Sequence, residues 1–183
     1  QEEVLAVMRK KRNLFIGIPK ETSFQENRVA LVPASVATLI AYGHRVVVEK
    51  NAGEHSNYAD QEYSEAGAEI AYSSEKVFEA DVIIKVAPPT LAEIELFKPN
   101  QIIISPLHLP TIDADYINKL KQKRVIALAW EYIKDQTGSF PFVRIISEMA
   151  GISAMLTAGE ILSNTNGGQG ILLGGITGVP PCK

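Results

Sequence analysis

Short, nearly uninterrupted apolar runs recur along this chain, and longer stretches of helical period separate them. The runs fall at residues 14–18, 45–49, 69–71, 82–86, 101–105 and 125–129. A strand that is apolar at consecutive positions must be buried on both faces, and a helix between successive strands allows them to run parallel. Between the runs lie segments with one apolar stripe. Residues 35–42 carry Val36, Leu39 and Ile40 on one face and stop at Gly43; residues 60–66 start at Asp60, a good capping residue, and stop at Gly67. Residues 74–80, 91–97 and 113–121 complete the alternation. This pattern predicts an α/β fold with a doubly wound, mostly parallel sheet and helices on both faces. With 183 residues, 46% of them hydrophobic, the chain can build one sizeable core.

The rhythm changes after Trp130. Residues 145–163 read as one long helix, apolar over much of its circumference and therefore expected to be well buried. Residues 164–170 read as a polar, glycine-rich loop and 171–173 as a last short strand. Gly167-Gly168-Gln169-Gly170 is not a phosphate-binding fingerprint, because Leu173 stands where a third glycine is required and the loop does not open a helix. It reads as a turn.

In a parallel sheet, ligands sit beyond the carboxyl ends of the strands. Three polar residues follow strands in this chain. Arg28 lies in the loop after the first, Lys85 closes the run at 82–86, and His108 follows the run at 101–105. Two cations and an imidazole on one rim suit a small keto acid: the cations hold its carboxylate, and the histidine bonds the carbonyl and passes a proton. Each has a plainer alternative. The arginine is solvated, the histidine is structural, or the lysine, too costly to bury alone, is paired at a strand end. Ser147 and Glu148 near the start of the long helix read either as a capping pair or as functional residues.

Composition excludes other classes. A net charge of −3, with no basic run and 7% aromatic residues, argues against nucleic acid. The single cysteine, Cys182, has no disulfide partner, and one cysteine with three separated histidines offers no metal site. No apolar run approaches the ~20 residues that span a bilayer, and no secretory signal is visible, so a cytoplasmic setting is expected.

Several motifs in order resemble a known family. Gly17-Ile18-Pro19-Lys20-Glu21, Glu26-Asn27-Arg28-Val29-Ala30, Pro33 and Val36 are similar to the N-terminal signature of alanine dehydrogenases and of the alpha subunit of pyridine nucleotide transhydrogenase. The likeness continues through Asn51–Ser56, Tyr63–Ala68, Asp81–Val86, Leu107-His108-Leu109 and Ser147-Glu148-Met149-Ala150-Gly151, the last leaning towards alanine dehydrogenase. Val32 and Pro106 depart from it, standing where the family has Ser or Thr and, often, an aromatic residue. The resemblance implies a Rossmann-like substrate domain at residues 13–173, preceded by an extension at 1–12. It implies a linker at 174–183 towards a second, dinucleotide-binding domain that is absent, and, without that domain, an exposed apolar patch on the outer faces of the long helix and the last strand. In the complete enzyme, Arg28 and Lys85 would bind the substrate carboxylate, His108 would be the acid/base and Ser147 would touch the cofactor. NAD would be bound mainly by the absent domain. The reaction would be the reversible oxidative deamination of L-alanine to pyruvate and ammonia, in a homo-oligomer with no membrane partner unless the chain is transhydrogenase-like. The alternatives are the N-terminal part of the transhydrogenase alpha subunit and a non-catalytic small-anion-binding or oligomerisation domain.

Overall fold

In the computed structural model, residues 13–175, 177 and 178 are described. The expected N-terminal extension, Cys182 and the end of the expected linker lie outside them. The chain divides into two compact units, one ending at Trp130 and the other beginning at Glu131.

The first unit is a six-stranded parallel sheet in the order β3-β2-β1-β4-β5-β6. The strands are β1 (Phe15–Ile18), β2 (Arg45–Glu49), β3 (Glu69–Ala71), β4 (Val82–Ile84), β5 (Ile102–Ser105) and β6 (Ile126–Ala129). The helices are α1 (Pro33–Ala41), α2 (Asp60–Glu65), α3 (Ser74–Val77), α4 (Leu91–Leu96) and α5 (Ala114–Gln122). Each expected strand and helix of this unit is present, with ends moved by a few residues. Pro33 opens α1, where its missing N–H costs nothing. Asp60 does not cap α2. Ala59 precedes the helix, its N–H donates to Glu62 Oε1 at 2.9 Å, and Asp60 Oδ1 instead accepts from Asn51 N at 2.8 Å.

The two-residue alternation of a strand divides the apolar runs between two cores. Ile16, Ile18, Val46 and Val48 pack with Val36 of α1 and Tyr63 of α2 on one side. Val47, Ile83 and Ile103 pack with Val77, Ile94 and Leu120 of α3, α4 and α5 on the other. Phe78 and Phe97 meet edge to face there, 5.1 Å between centroids. Gly17 is required where β1 passes α3, since a Cβ would stand 2.6 Å from the Val77 carbonyl oxygen. The sheet is not covered everywhere: Ile126 and Leu128 of the edge strand β6 remain exposed.

The second unit is dominated by α6 (Pro141–Leu162), which starts four residues before the expected 145 because Pro141 takes its first position. The expectation that this helix is well buried is overturned. None of its residues is buried, and Ile152, Met155, Leu156 and Ile161 are all exposed. It is apolar almost all round, and among the described residues of the second unit no element is large enough to enclose it. By length and composition alone it could cross a bilayer, contrary to the expectation that no apolar run approaches that length; Arg144, Glu148 and Glu160 are its charged residues. Residues 171–173 form no strand; Gly170, at φ 70°, turns the chain just before them. The Gly167–Gly170 segment is the turn expected of it, with Gly167 left-handed at φ 79°.

Candidate active site

The sheet order reverses between β1 and β4. The loops leaving these neighbours lead to α1 on one face and α4 on the other, and the crevice between such loops is the usual ligand site of an open α/β sheet. The loop after β1 carries Arg28, and Lys85 follows β4 directly. His108 follows β5, the next strand over.

The Arg28 loop is tied down at several points. Lys20 N donates to Glu49 Oε2 at 2.9 Å, Ser56 Oγ to the Asn27 carbonyl at 2.8 Å and Tyr63 OH to the Leu31 carbonyl at 2.9 Å. Burial pushes the Tyr63 phenol up to about 12. Glu21 bridges to the adjacent loop, accepting from Val86 N at 2.6 Å through Oε1. Its Oε2 lies 3.0 Å from Lys85 Nζ, an ion pair without hydrogen-bond alignment.

Lys85 is enclosed. Its side chain has no exposed surface, and Nζ donates to Glu93 Oε1 at 2.9 Å. Glu93 belongs to the Thr90-Leu91-Ala92-Glu93 capping box of α4. Its Oε2 accepts from Thr90 N at 2.6 Å, while Thr90 Oγ1 accepts from Glu93 N at 3.2 Å. The ammonium is thus held between carboxylates that are each fixed by a backbone N–H.

Arg28 is open to solvent, with 57% of its side chain exposed. It meets Glu26 in a two-pronged contact, Nε to Oε1 at 2.8 Å and a terminal nitrogen to Oε2 at 2.6 Å. These bonds hold the Glu26 carboxyl below the usual carboxylate range, and the charge of Lys85 adds to the effect. They also raise the Arg28 guanidinium, with a smaller contribution from Glu21. Arg28 and Lys85 therefore share one electrostatic neighbourhood.

His108 is exposed and left-handed at φ 50°, a conformation that costs a non-glycine residue about 1 kcal/mol or more. Its carbonyl accepts from Thr111 N at 2.9 Å and Thr111 Oγ1 at 3.0 Å, which holds the bend. Ser105, near it on β5, is buried, and its Oγ has no partner among the described residues. Ser147 lies in the second unit, exposed and two turns into α6. It is no cap, and Glu148 is taken by Arg144 Nε at 2.9 Å.

The structure thus sets Arg28, Lys85 and His108 after the neighbouring strands β1, β4 and β5, with Arg28 paired to Glu26 and Lys85 paired to Glu21 and Glu93. Glu21, Glu26 and Glu93 went unassigned in the sequence. Glu93 was legible as the last residue of a Thr-x-x-Glu capping box. Glu21 carried no signal of its role, because its partners lie in a distant loop.

A doubly wound parallel sheet with charged groups gathered at its switch point defines a Rossmann-like α/β domain. Residues 17–150 match the family described as "Alanine dehydrogenase/PNT, N-terminal domain", and the chain belongs to that family. Among curated relatives, an alanine dehydrogenase of Staphylococcus epidermidis is 42% identical over 92% of this chain and 45% of its own length. One of Methanococcus maripaludis is 40% identical over 93% and 46%. A solved L-alanine dehydrogenase superposes with a TM-score of 0.85 at 35% identity, over 92% of this chain and 46% of that one. A transhydrogenase from Sinorhizobium meliloti superposes with a TM-score of 0.62 at 32% identity, over 67% and 36%. The chain spans less than half the length of these relatives.

Proposed function

We propose that this chain supplies the substrate-binding part of an NAD-dependent alanine dehydrogenase, which converts L-alanine reversibly to pyruvate and ammonia. The observation that carries the reading is two cations at the switch point: an accessible guanidinium on the anchored loop after β1, and the enclosed ammonium of Lys85 after β4, paired with Glu21 of that same loop. Arg28 offers the substrate carboxylate a planar fork, each charge-assisted contact contributing about 1.5–3 kcal/mol before solvent screening. Lys85, enclosed between Glu21 and Glu93 beside that loop, is the second cation of the carboxylate site in this reading. His108 exchanges a proton with the substrate nitrogen or oxygen.

NAD, when bound, takes the hydride from the substrate carbon. Most of its contacts belong to a second domain beyond this chain. The exposed Ser147 hydroxyl, able to donate and accept one hydrogen bond, fits a polar edge of the cofactor. The complete protein is a cytoplasmic homo-oligomer in this reading.

Calorimetric titration of the chain with pyruvate tests the site. Binding is expected, and Arg28→Ala is expected to abolish its heat; unchanged binding in that variant refutes the carboxylate role. In the full-length protein, Lys85→Arg is expected to lose most of the rate, because the fork does not fit between Glu21 and Glu93. The likeness to the transhydrogenase supports a second reading, a hydride-exchange module. NADPH-dependent reduction of an NAD analogue by the full-length protein, without alanine-dependent NADH formation, would select it. A non-catalytic anion-binding or oligomerisation role predicts neither activity.

A further inference from the structure

A glutamate in a capping box ordinarily sits at the surface and closes one bond to the backbone. Glu93 is buried, with 8% of its surface exposed, and divides its oxygens between two donors. Oε2 holds the start of α4 through Thr90 N, and Oε1 holds Lys85 Nζ. The backbone of Lys85 is fixed separately, since its N–H donates to the Ile104 carbonyl at 3.0 Å across the sheet. A lysine chain anchored at its root still has four rotatable bonds before its charge, so the position of Nζ depends on what holds the tip. We propose that Glu93 is a positioning residue: it fixes the Lys85 ammonium at the switch point and couples it to the start of α4. The proposal rests on the reading of Lys85 as a substrate-binding cation.

The choice of glutamate follows from the donors it meets. Both of its oxygens accept. A glutamine has one acceptor and one donor, so its amide nitrogen would face either Thr90 N–H or the ammonium. The plainer account, that Glu93 only caps α4, leaves its contact with Lys85 unused and makes Thr90 and Glu93 equivalent partners.

The test uses the whole chain with 15N-labelled lysine, and Lys85→Met assigns the Lys85 ammonium signal. In the wild-type protein that signal is expected to exchange with water far more slowly than those of surface lysines. Glu93→Gln is expected to shift or broaden it and to weaken pyruvate binding about tenfold, the loss of roughly one charge-assisted contact. Thr90→Ala removes the other half of the capping box and is expected to leave both readouts unchanged. An unshifted ammonium signal in Glu93→Gln overturns the proposal, as does a Thr90→Ala variant that reproduces the Glu93→Gln effects. If Glu93→Gln does not fold, fast exchange of the Lys85 ammonium in the wild-type protein overturns it, and slow exchange supports the clamp. A wild-type chain that binds no pyruvate refutes the substrate reading, while a Glu93-dependent ammonium signal in the same chain still supports the positioning of Lys85.

Discussion

Replacing Lys85 with methionine keeps an unbranched, flexible side chain, one heavy atom shorter, and removes its charge. The two carboxylates left behind are 4% and 10% exposed, and they faced the ammonium at 3.0 and 2.9 Å. Neither swings freely into water, because Glu21 holds Val86 N and Glu93 holds Thr90 N, and each such bond to a charged acceptor contributes about 1.5–3 kcal/mol. Removing one member of a buried ion pair costs about 3–5 kcal/mol, and here two partners lose their counter-charge together. The expected loss for Lys85→Met is thus about 4 kcal/mol, a large share of the 5–15 kcal/mol of a typical domain. Urea unfolding followed by far-ultraviolet circular dichroism at neutral pH measures it. The triple variant Lys85→Met/Glu21→Gln/Glu93→Gln should recover at least half of the loss, since neutral amides tolerate burial better than unpaired carboxylates. A Lys85→Met protein within about 1 kcal/mol of wild type would refute the reasoning, because an isolated surface pair carries no more than that.

Three further outcomes follow from the same loops. The Glu26 carboxyl is depressed by Arg28, so its contribution is present above the ordinary carboxylate range and lost as pH falls through its lowered folded value. Glu26→Gln should therefore cost up to about 1 kcal/mol at pH 7, given the exposure of Arg28, and the gap to wild type should close on acidification, as read from denaturation midpoints. The Tyr63 phenol, pushed up to about 12, keeps its proton while the unfolded chain loses its own near 10. Stability is then full below the unfolded value and falls between the two, and phenolate absorbance should show a late ionisation step that Tyr63→Phe removes; an unchanged titration curve in that variant would count against it. Gly17→Ala places a methyl 2.6 Å from the Val77 carbonyl oxygen and 2.9 Å from Ile83 Cδ1, so thermal unfolding should show a loss of about 1–3 kcal/mol, and an unchanged midpoint would mean that β1 and α3 part easily.

The strands were legible because their apolar runs are continuous, and a continuous run in an alternating chain has few places to go except a parallel sheet with two covers. The rim residues were legible for the same reason: once the strands are parallel, whatever follows each one faces the same side. Lys85 stood out as a cation inside an apolar run. What local sequence did not reveal was its company, since Glu21 and the Val86 amide it holds are 65 positions apart and adjacent only through the β1–β4 pairing. The failures have a different origin. Composition made α6 look buried, but apolar character on every side names no partner face, and the second unit does not enclose the helix. Residues 171–173 had the composition of a strand without a neighbouring strand to pair with.

An exposed Arg–Glu contact such as Arg28–Glu26 holds little by itself, because water screens it and both side chains lose freedom in making it. The enclosed Glu21–Lys85–Glu93 cluster is different: its members are buried, and its outer ends are fixed to the backbone of the β4–α4 segment. Glu21 is also part of the loop that carries Arg28. Movement of Lys85 or Glu93 should therefore be felt at Arg28, although Arg28 bonds to neither. When the crevice takes a small carboxylate, the exposed guanidinium makes the first contact, and the buried cluster sets where the second cation, Lys85, stands. Substitutions at Glu21 should then impair binding through the placement of Arg28 even though its charge remains.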